Sequence, residues 1–339
     1  MEGLIMGRIL LISIVLLVIV WSYGIAKDDQ PIVPLKSTLS TPKSKYLLGD
    51  WIEINLKIQN TGRERVKVAK PMIDFYSVSL KMEYVKNEKQ ESPITDTIDI
   101  PMVFTYAVFT PSVMEDRPEA TTIGKIALEP GRDISVSFKV PAIRIGELKI
   151  TALKNSAGGY VEPSNTLTVN IALEEKDKGK ELVAVIDTNQ GKIITRFYPN
   201  DAPNHVLNFV KLAKQGFYTK QIFHRVIKGF MIQGGSPKRD GSGDAGYTIK
   251  AEFSEKKHLE GTLAMARGPN VDSASCQFYI CLEPQSGLDG QYTVFGEVIK
   301  GMDVVKKIGA VKTTGSVGGD RPLTEMLINK ITIELMKVK

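Results

Sequence analysis

The feature that most constrains the fold is an alternation of apolar and polar residues with a period of two. It is clearest between Ile52 and Ile58, where every second residue is Ile or Leu and the residues between are charged or carry amides. The pattern recurs in three further segments, at residues 78–84, 134–140 and 167–171. Successive side chains of a strand point to opposite faces, so this period indicates half-buried β-strands.

Turn-forming Gly, Pro and Asn residues separate these segments, so residues 31–173 are predicted to form a sandwich of two antiparallel sheets. The turn at Leu48-Gly49-Asp50, followed by a strand that ends in Asn60-Thr61-Gly62, loosely resembles the opening of immunoglobulin-like modules in exported proteins. Such a resemblance implies an architecture and no activity. The short charged run at 174–180 lacks apolar residues and is predicted to be an interdomain linker.

A second domain is predicted over residues 181–339. Strand-like segments flank Thr188-Asn189-Gln190-Gly191, which indicates a hairpin. Two helices are expected, one from Pro203 to a closing Gly216 and one from Met302 to Gly309. The remainder consists of strand-like segments and Gly-rich loops. The fold class is therefore predicted as mainly β, with a closed β-barrel capped by two helices after the sandwich.

The N-terminal residues 1–26 carry an apolar run that follows Arg8 and ends near Trp21. Gly24-Ile25-Ala26 then offers a small-x-small cleavage site, as in a secretory signal peptide. An uncleaved membrane anchor fits the run equally well, because it is almost long enough to span a bilayer. Either interpretation places the rest of the chain outside the cytoplasm, in the periplasm or cell envelope, with membrane contact through this segment alone.

Charge and composition exclude several classes of function. The net charge of +6 comes from 44 basic and 38 acidic residues that are interspersed, and no dense basic block with interleaved aromatic residues suggests a nucleic-acid partner. The chain has three His and two Cys, with no zinc-ligand spacing among them. We therefore expect no metal, no cofactor and no nucleic acid.

Two segments contain the residues for a specific chemistry. The first is Phe223–Gly235, and the second comprises Gly261–Arg267 and, after a short loop, Cys276–Ile280. Together they resemble the two signature blocks of the cyclophilin family of peptidyl-prolyl cis-trans isomerases. The resemblance covers roughly Leu182 to Ile333. It implies a cyclophilin-like barrel, proline-containing polypeptides as partners and no cofactor.

The same resemblance assigns roles to individual residues. Arg225 matches the catalytic arginine. The other matches are the proline-pocket walls Phe230, Met231 and Leu288, the backbone-holding side chains Gln233 and Gln277, and the peptide-pairing edge Ala266 and Arg267. Tyr279 stands where the family usually has Phe, Tyr292 where many members have His, and Gly287 where many have Trp. We also expect Phe278 to line the apolar pocket.

These residue types suit the chemistry of X–Pro rotation. An arginine could donate to the prolyl nitrogen once the amide twists, and an apolar pocket would seat the ring. A second hypothesis is a binding protein or chaperone that keeps the groove without being selected for turnover. A third concerns residues 31–173 alone, which could be a docking module that places the isomerase near its clients.

Overall fold

The structure is a computed structural model, and it describes residues 35–69, 79–84, 125–153, 161–162 and 164–338. The predicted signal peptide or anchor at residues 1–26 lies outside this part of the chain. No helix in the described part is both long and apolar enough to cross a membrane.

The N-terminal part of the chain consists of short strands. They are β1 Leu35–Ser40, β2 Lys45–Leu47, β3 Trp51–Asn60, β4 Val66–Ala69, β5 Ser79–Tyr84, β6 Lys125–Leu128, β7 Asp133–Pro141, β8 Gly146–Leu153, β9 Val161–Glu162 and β10 Leu167–Ala172. Two four-stranded sheets have the orders β7-β3-β1-β9 and β2-β10-β8-β5, and β4 pairs with β6. Most pairs are antiparallel, as predicted, but β1–β9 and β2–β10 are parallel.

The alternation in sequence determines which side of each sheet is buried. All four apolar residues between Ile52 and Ile58 in β3 are at most 6% exposed. On the other sheet Val169 and Ile171 of β10 are buried in the same apolar cluster. The alternating face of each sheet therefore meets the other sheet, as the period of two predicts.

The C-terminal part contains one large sheet and two helices. Its strands are β11 Lys180–Thr188, β12 Gly191–Phe197, β13 Gln221–Ile222, β14 Arg225–Ile227, β15 Met231–Gly234, β16 Thr262–Met265, β17 Phe278–Cys281, β18 Val294–Lys300 and β19 Leu327–Lys337. The helices are α1 Pro203–Lys214 and α2 Met302–Gly309. The sheet has the order β13-β19-β11-β12-β18-β16-β17-β15-β14. The predicted hairpin at 188–191 and both predicted helices are present.

The predicted barrel is present as a curled half-barrel and is not closed, because no ladder among the described strands joins the two end strands of the sheet. The end strands are β13 and β14. They belong to one stretch of chain that is interrupted only at Phe223 and His224. The main chain of Phe223 continues the pairing with β19 by donating to Met326 (2.9 Å), and β14 then pairs with β15. This leaves β14, which begins with Arg225, as an edge strand.

The two parts of the chain contact each other at the end of α1. The Lys214 ammonium donates to the carbonyl oxygen of Gly49 and lies 5.3 Å from the ring centroid of Trp51. Gly49 packs so closely that an added Cβ would lie 3.2 Å from Leu182 in β11. The sandwich therefore touches α1 and β11, while β14 and β15 occupy the far end of the strand order.

Candidate active site

A tight hairpin at the edge of the sheet positions the predicted catalytic arginine. β14 pairs with β15 in a register that sets Arg225 opposite Gln233 and Ile227 opposite Met231. The hairpin turns at Gly229, which has a positive φ of 73° that glycine adopts readily. Directly opposed residues share a face of the sheet, so Arg225, Gln233 and Met231 all face the same side.

On that side lies a small apolar cluster, which we call the cup. Its buried members are Met231, Ala264, Tyr279, Cys281 and Val294, and its partly exposed members are Tyr198, Ile227, Phe230, Ala266, Leu288 and Tyr292. The cup is distinct from the main hydrophobic core. It brings together six of the residues predicted from sequence, namely Phe230, Met231, Ala266, Tyr279, Leu288 and Tyr292.

Phe278 does not line the cup, and the expectation that it would is corrected. In the β15–β17 register Gln233 lies opposite Tyr279, and Phe278 lies opposite Gly234. Phe278 therefore points to the other face, where it is fully buried in the main core and packs edge-on against Phe209. The aromatic wall of the cup is provided by its neighbour Tyr279.

The two glutamines predicted to hold a substrate backbone form one hydrogen-bonded chain. The Gln233 amide nitrogen donates to the Gln277 side-chain oxygen (3.0 Å). The Gln277 amide nitrogen in turn donates to the carbonyl oxygens of Gly241 (2.9 Å) and Gly243 (3.3 Å). Gln277 is thus fixed by a loop, and it orients Gln233 so that the carbonyl oxygen of that amide remains available as an acceptor.

Arg267 holds two loops together at the rim of the cup. Its guanidinium donates to the Gln291 carbonyl oxygen (3.2 and 3.0 Å) and to that of Gly268 (3.0 Å), and it lies 4.6 Å from the centroid of the Tyr292 ring. The main-chain N–H of Ala266 donates to the Gln277 carbonyl oxygen (2.9 Å). That N–H is therefore already paired and does not itself form part of a free peptide-pairing edge.

The hydroxyl of Tyr279 points out of the cup. It lies 3.0 Å from His258 Nε2, while His258 Nδ1 lies 3.1 Å from the Asp289 carboxylate. A carboxylate only accepts, so Nδ1 carries the proton and Nε2 accepts from the tyrosine in neutral His258. Burial lowers the pKa of His258, and Asp289 opposes this shift. The lowered pKa favours the neutral ring. Because the Tyr279 hydroxyl points away from the cup, the cup remains apolar.

One acidic residue near Arg225 was not identified from the sequence. Asp320 Oδ2 lies 3.6 Å from Arg225 Nε, and the side chains are 17% and 42% exposed respectively. This closest approach is longer than a hydrogen bond. The only sequence signal for Asp320 is an acidic residue directly after the glycine-rich stretch Gly315–Gly319.

The described residues show no group of three or more His, Cys, Asp or Glu that could hold a metal ion. Both cysteines are buried and unpaired, and burial raises the pKa of each to about 12. Neither thiol therefore has the character of a nucleophile.

Comparison with known proteins identifies the C-terminal part. The family model for cyclophilin type peptidyl-prolyl cis-trans isomerases matches residues 183–333. A peptidyl-prolyl cis-trans isomerase from Synechococcus elongatus is 51% identical over 114 residues, which are 34% of this chain and 78% of the relative. The Arabidopsis thaliana isomerase CYP18-2 is 36% identical over 46% of this chain and 96% of its own length.

A crystal structure of a cyclophilin type peptidyl-prolyl cis-trans isomerase from Cryptosporidium parvum, solved in the presence of the dipeptide Ala-Pro, is 30% identical. It covers 45% of this chain and 98% of its own, with a TM-score of 0.43. The two sequence relatives are each covered over more than two thirds of their length at well above 30% identity. The chain is therefore a peptidyl-prolyl cis-trans isomerase and belongs to the cyclophilin-type family.

Proposed function

We propose that this isomerase accelerates X–Pro rotation by donation from Arg225 to the prolyl nitrogen while the ring sits in the cup. Rotation is slow because amide resonance must be broken, with a barrier of roughly 20 kcal/mol. In the twisted state the nitrogen becomes pyramidal and gains a basic lone pair. An interaction that is available only in that state lowers the barrier without trapping the ground state.

The observation that supports this proposal most is the shared face of the β14–β15 hairpin. Arg225 and Gln233 face each other across the hairpin, and one residue pair separates them from the Ile227–Met231 pair that forms part of the cup. A proline ring in the cup would thus have a cation and an amide oxygen within reach of its main chain. The apolar walls would exclude water from the nitrogen, which increases the effect of a fixed donor.

The decisive experiment measures cis–trans exchange of an Ala-Pro peptide by NMR, with the full chain and with Arg225→Ala. Loss of a preorganised donor of this kind lowers the rate by roughly 100-fold or more. Arg196→Ala is the matched control, because Arg196 is also a strand residue, is 36% exposed and pairs with Glu297 at 2.6 Å. The control should retain wild-type turnover. Wild-type turnover in Arg225→Ala would refute the role of the arginine.

The same assay distinguishes the isomerase from the binding-protein hypothesis. If the full chain binds the peptide but exchange proceeds at the uncatalysed rate, the protein is better described as a binding protein whose groove holds proline without catalysing its rotation.

We further propose that the clients are exported proteins and that the enzyme works in the periplasm or cell envelope, released there or anchored by residues 1–26. The support is the order of features in sequence, with an apolar run and a small-x-small site before the β-rich part. N-terminal sequencing of the mature protein checks the proposal. A first residue near Lys27 indicates cleavage, an intact terminus in the membrane fraction indicates an anchor, and an intact soluble cytoplasmic protein refutes export.

Residues 31–173 are proposed to be a docking module that brings the isomerase to its clients. Its described contacts with the C-terminal part involve α1 and β11 and leave the β14–β15 hairpin uncovered. Removal of the module should therefore preserve peptide turnover and change the set of clients or the location of the enzyme. Loss of peptide turnover would contradict a separate docking role.

A further inference from the structure

We propose that Asp320 is a positioning residue for Arg225, which holds the guanidinium in the orientation that turnover requires. The inference rests on the proposed role of Arg225 and adds a residue 95 positions away in sequence. Three properties of Asp320 support it: its backbone conformation, its backbone hydrogen bonds and the position of its carboxylate.

The backbone of Asp320 adopts a conformation that most side chains disfavour. Its φ is 56°, and the preceding Gly319 has a φ of 74°. Left-handed backbone is disfavoured for residues with a Cβ, and glycine is the residue that adopts it most readily. The chain uses glycine at 318 and 319 but carries aspartate at 320. Aspartate is among the few residues besides glycine that visit this region, so the turn can present a carboxylate here at little cost.

Two backbone hydrogen bonds fix Asp320 against the edge strand. Its N–H donates to the Gly315 carbonyl oxygen (2.8 Å), and its own carbonyl oxygen accepts from the N–H of Val226 (2.9 Å). Val226 directly follows Arg225 in β14. The Cα of Asp320 is therefore held in place relative to the Cα of Arg225, so the carboxylate has a fixed point of attachment.

The carboxylate comes closest to the inner nitrogen of the guanidinium. The closest approach is from Oδ2 to Nε, at 3.6 Å, and among the described residues Asp320 has no other ion pair. Nε is the inner nitrogen, and a guanidinium carries further N–H donors on both terminal nitrogens, so it can donate to a substrate while the carboxylate stays at Nε. The Arg225 side chain is 42% exposed. Without a neighbouring charge it would sample many rotamers, and turnover would require their restriction.

The test is Asp320→Asn in the full chain, a change that removes the charge and keeps the shape. We expect kcat for an Ala-Pro peptide to fall about fivefold, which corresponds to about 1 kcal/mol, with KM unchanged. The Nε–H resonance of Arg225 should show a lower NMR order parameter. Asp320→Gly suits the left-handed backbone and should show the same fall in kcat. It replaces the asparagine variant as the test if that variant folds poorly. Glu260→Gln is the control, because it removes an exposed ion pair with Lys306 at 2.7 Å elsewhere in the domain.

A role through Arg225 also requires coupling between the two positions. Lysine lacks the planar guanidinium, so Asp320→Asn should have little further effect in an Arg225→Lys background. Wild-type kcat in both Asp320 variants, or an equal fall in the two backgrounds, would overturn the inference. If instead Arg225→Ala retains full activity, the proposed mechanism fails first. Failure of the mechanism is therefore distinguishable from failure of the positioning role alone.

Discussion

Acidification should destabilise the C-terminal part through His224, the residue that directly precedes Arg225. The His224 ring is 5% exposed and lies beneath the loop at Gly241, where an added Cβ would be 3.3 Å from the ring. Its Nδ1 has no hydrogen-bond partner among the described residues. Burial lowers the pKa of His224 to about 4; Asp240 opposes this, and the cations Arg225 and Arg321 add to it.

The sign of the effect follows from proton binding. The pKa of His224 in the folded protein is below that of the unfolded chain, so the unfolded state binds the proton first as the pH falls. Stability is therefore lost between pH 6.5 and about pH 4, and the full difference of 2.5 pKa units is equivalent to about 3 kcal/mol. At pH 5 the same two values give a loss of about 2 kcal/mol.

Two measurements check this prediction. An NMR titration of the imidazole Cε1–H signals, assigned with His224→Gln, should show a ring that titrates near pH 4. Urea unfolding followed by ellipticity should show that the loss of stability between pH 7.5 and pH 5 is about 2 kcal/mol smaller in His224→Gln than in the wild type. A ring that titrates near 6.5, or the same pH dependence in both proteins, would refute the reasoning.

Three further contacts can be tested by substitution. Tyr279→Phe removes the partner of His258 Nε2 and should lower the free energy of unfolding by about 1 kcal/mol, while turnover of the Ala-Pro peptide stays within about twofold. Gly296→Ala places a Cβ against the main-chain oxygen of Arg196 and should lower the thermal unfolding midpoint, whereas Gly287→Ala meets nothing within 4 Å and should not. Lys214→Met should make the β-sandwich more susceptible to limited proteolysis and leave turnover unchanged; equal proteolysis rates would argue against the contact at α1.

Much of the fold could be predicted from the sequence because its signals are local. The alternation in β3 determines which side chains face inward, and the turn at 188–191 and the helices at 203 and 302 depend on residues a few positions apart. The parallel pairs β1–β9 and β2–β10 join strands more than a hundred residues apart, and no local pattern specifies them. The same holds for the free edges of the half-barrel, which depend on how far the sheet curls.

The site illustrates the same limit in single residues. Both Phe278 and Tyr279 are predicted from the sequence to line the pocket, although neighbours in a strand point to opposite faces. Two adjacent aromatic residues give no pattern that decides which one faces inward. The decision comes from the register of β17 against β15, which sets Tyr279 opposite Gln233. Asp320 could not be found for the related reason that its contact with Arg225 joins distant parts of the chain.

The separation of the cup from the main core has a consequence for how this enzyme can vary. The main core packs one face of the large sheet against α1, and it includes Phe278, Phe209 and residues of the sandwich. The cup occupies the other face, and six of its eleven members are partly exposed. A substitution of a partly exposed member therefore removes less of the apolar contact on which folding depends than a substitution in the main core. Residues such as Tyr292 at the rim can thus change with the preferred substrate at small cost in stability, while the residues of the main core cannot.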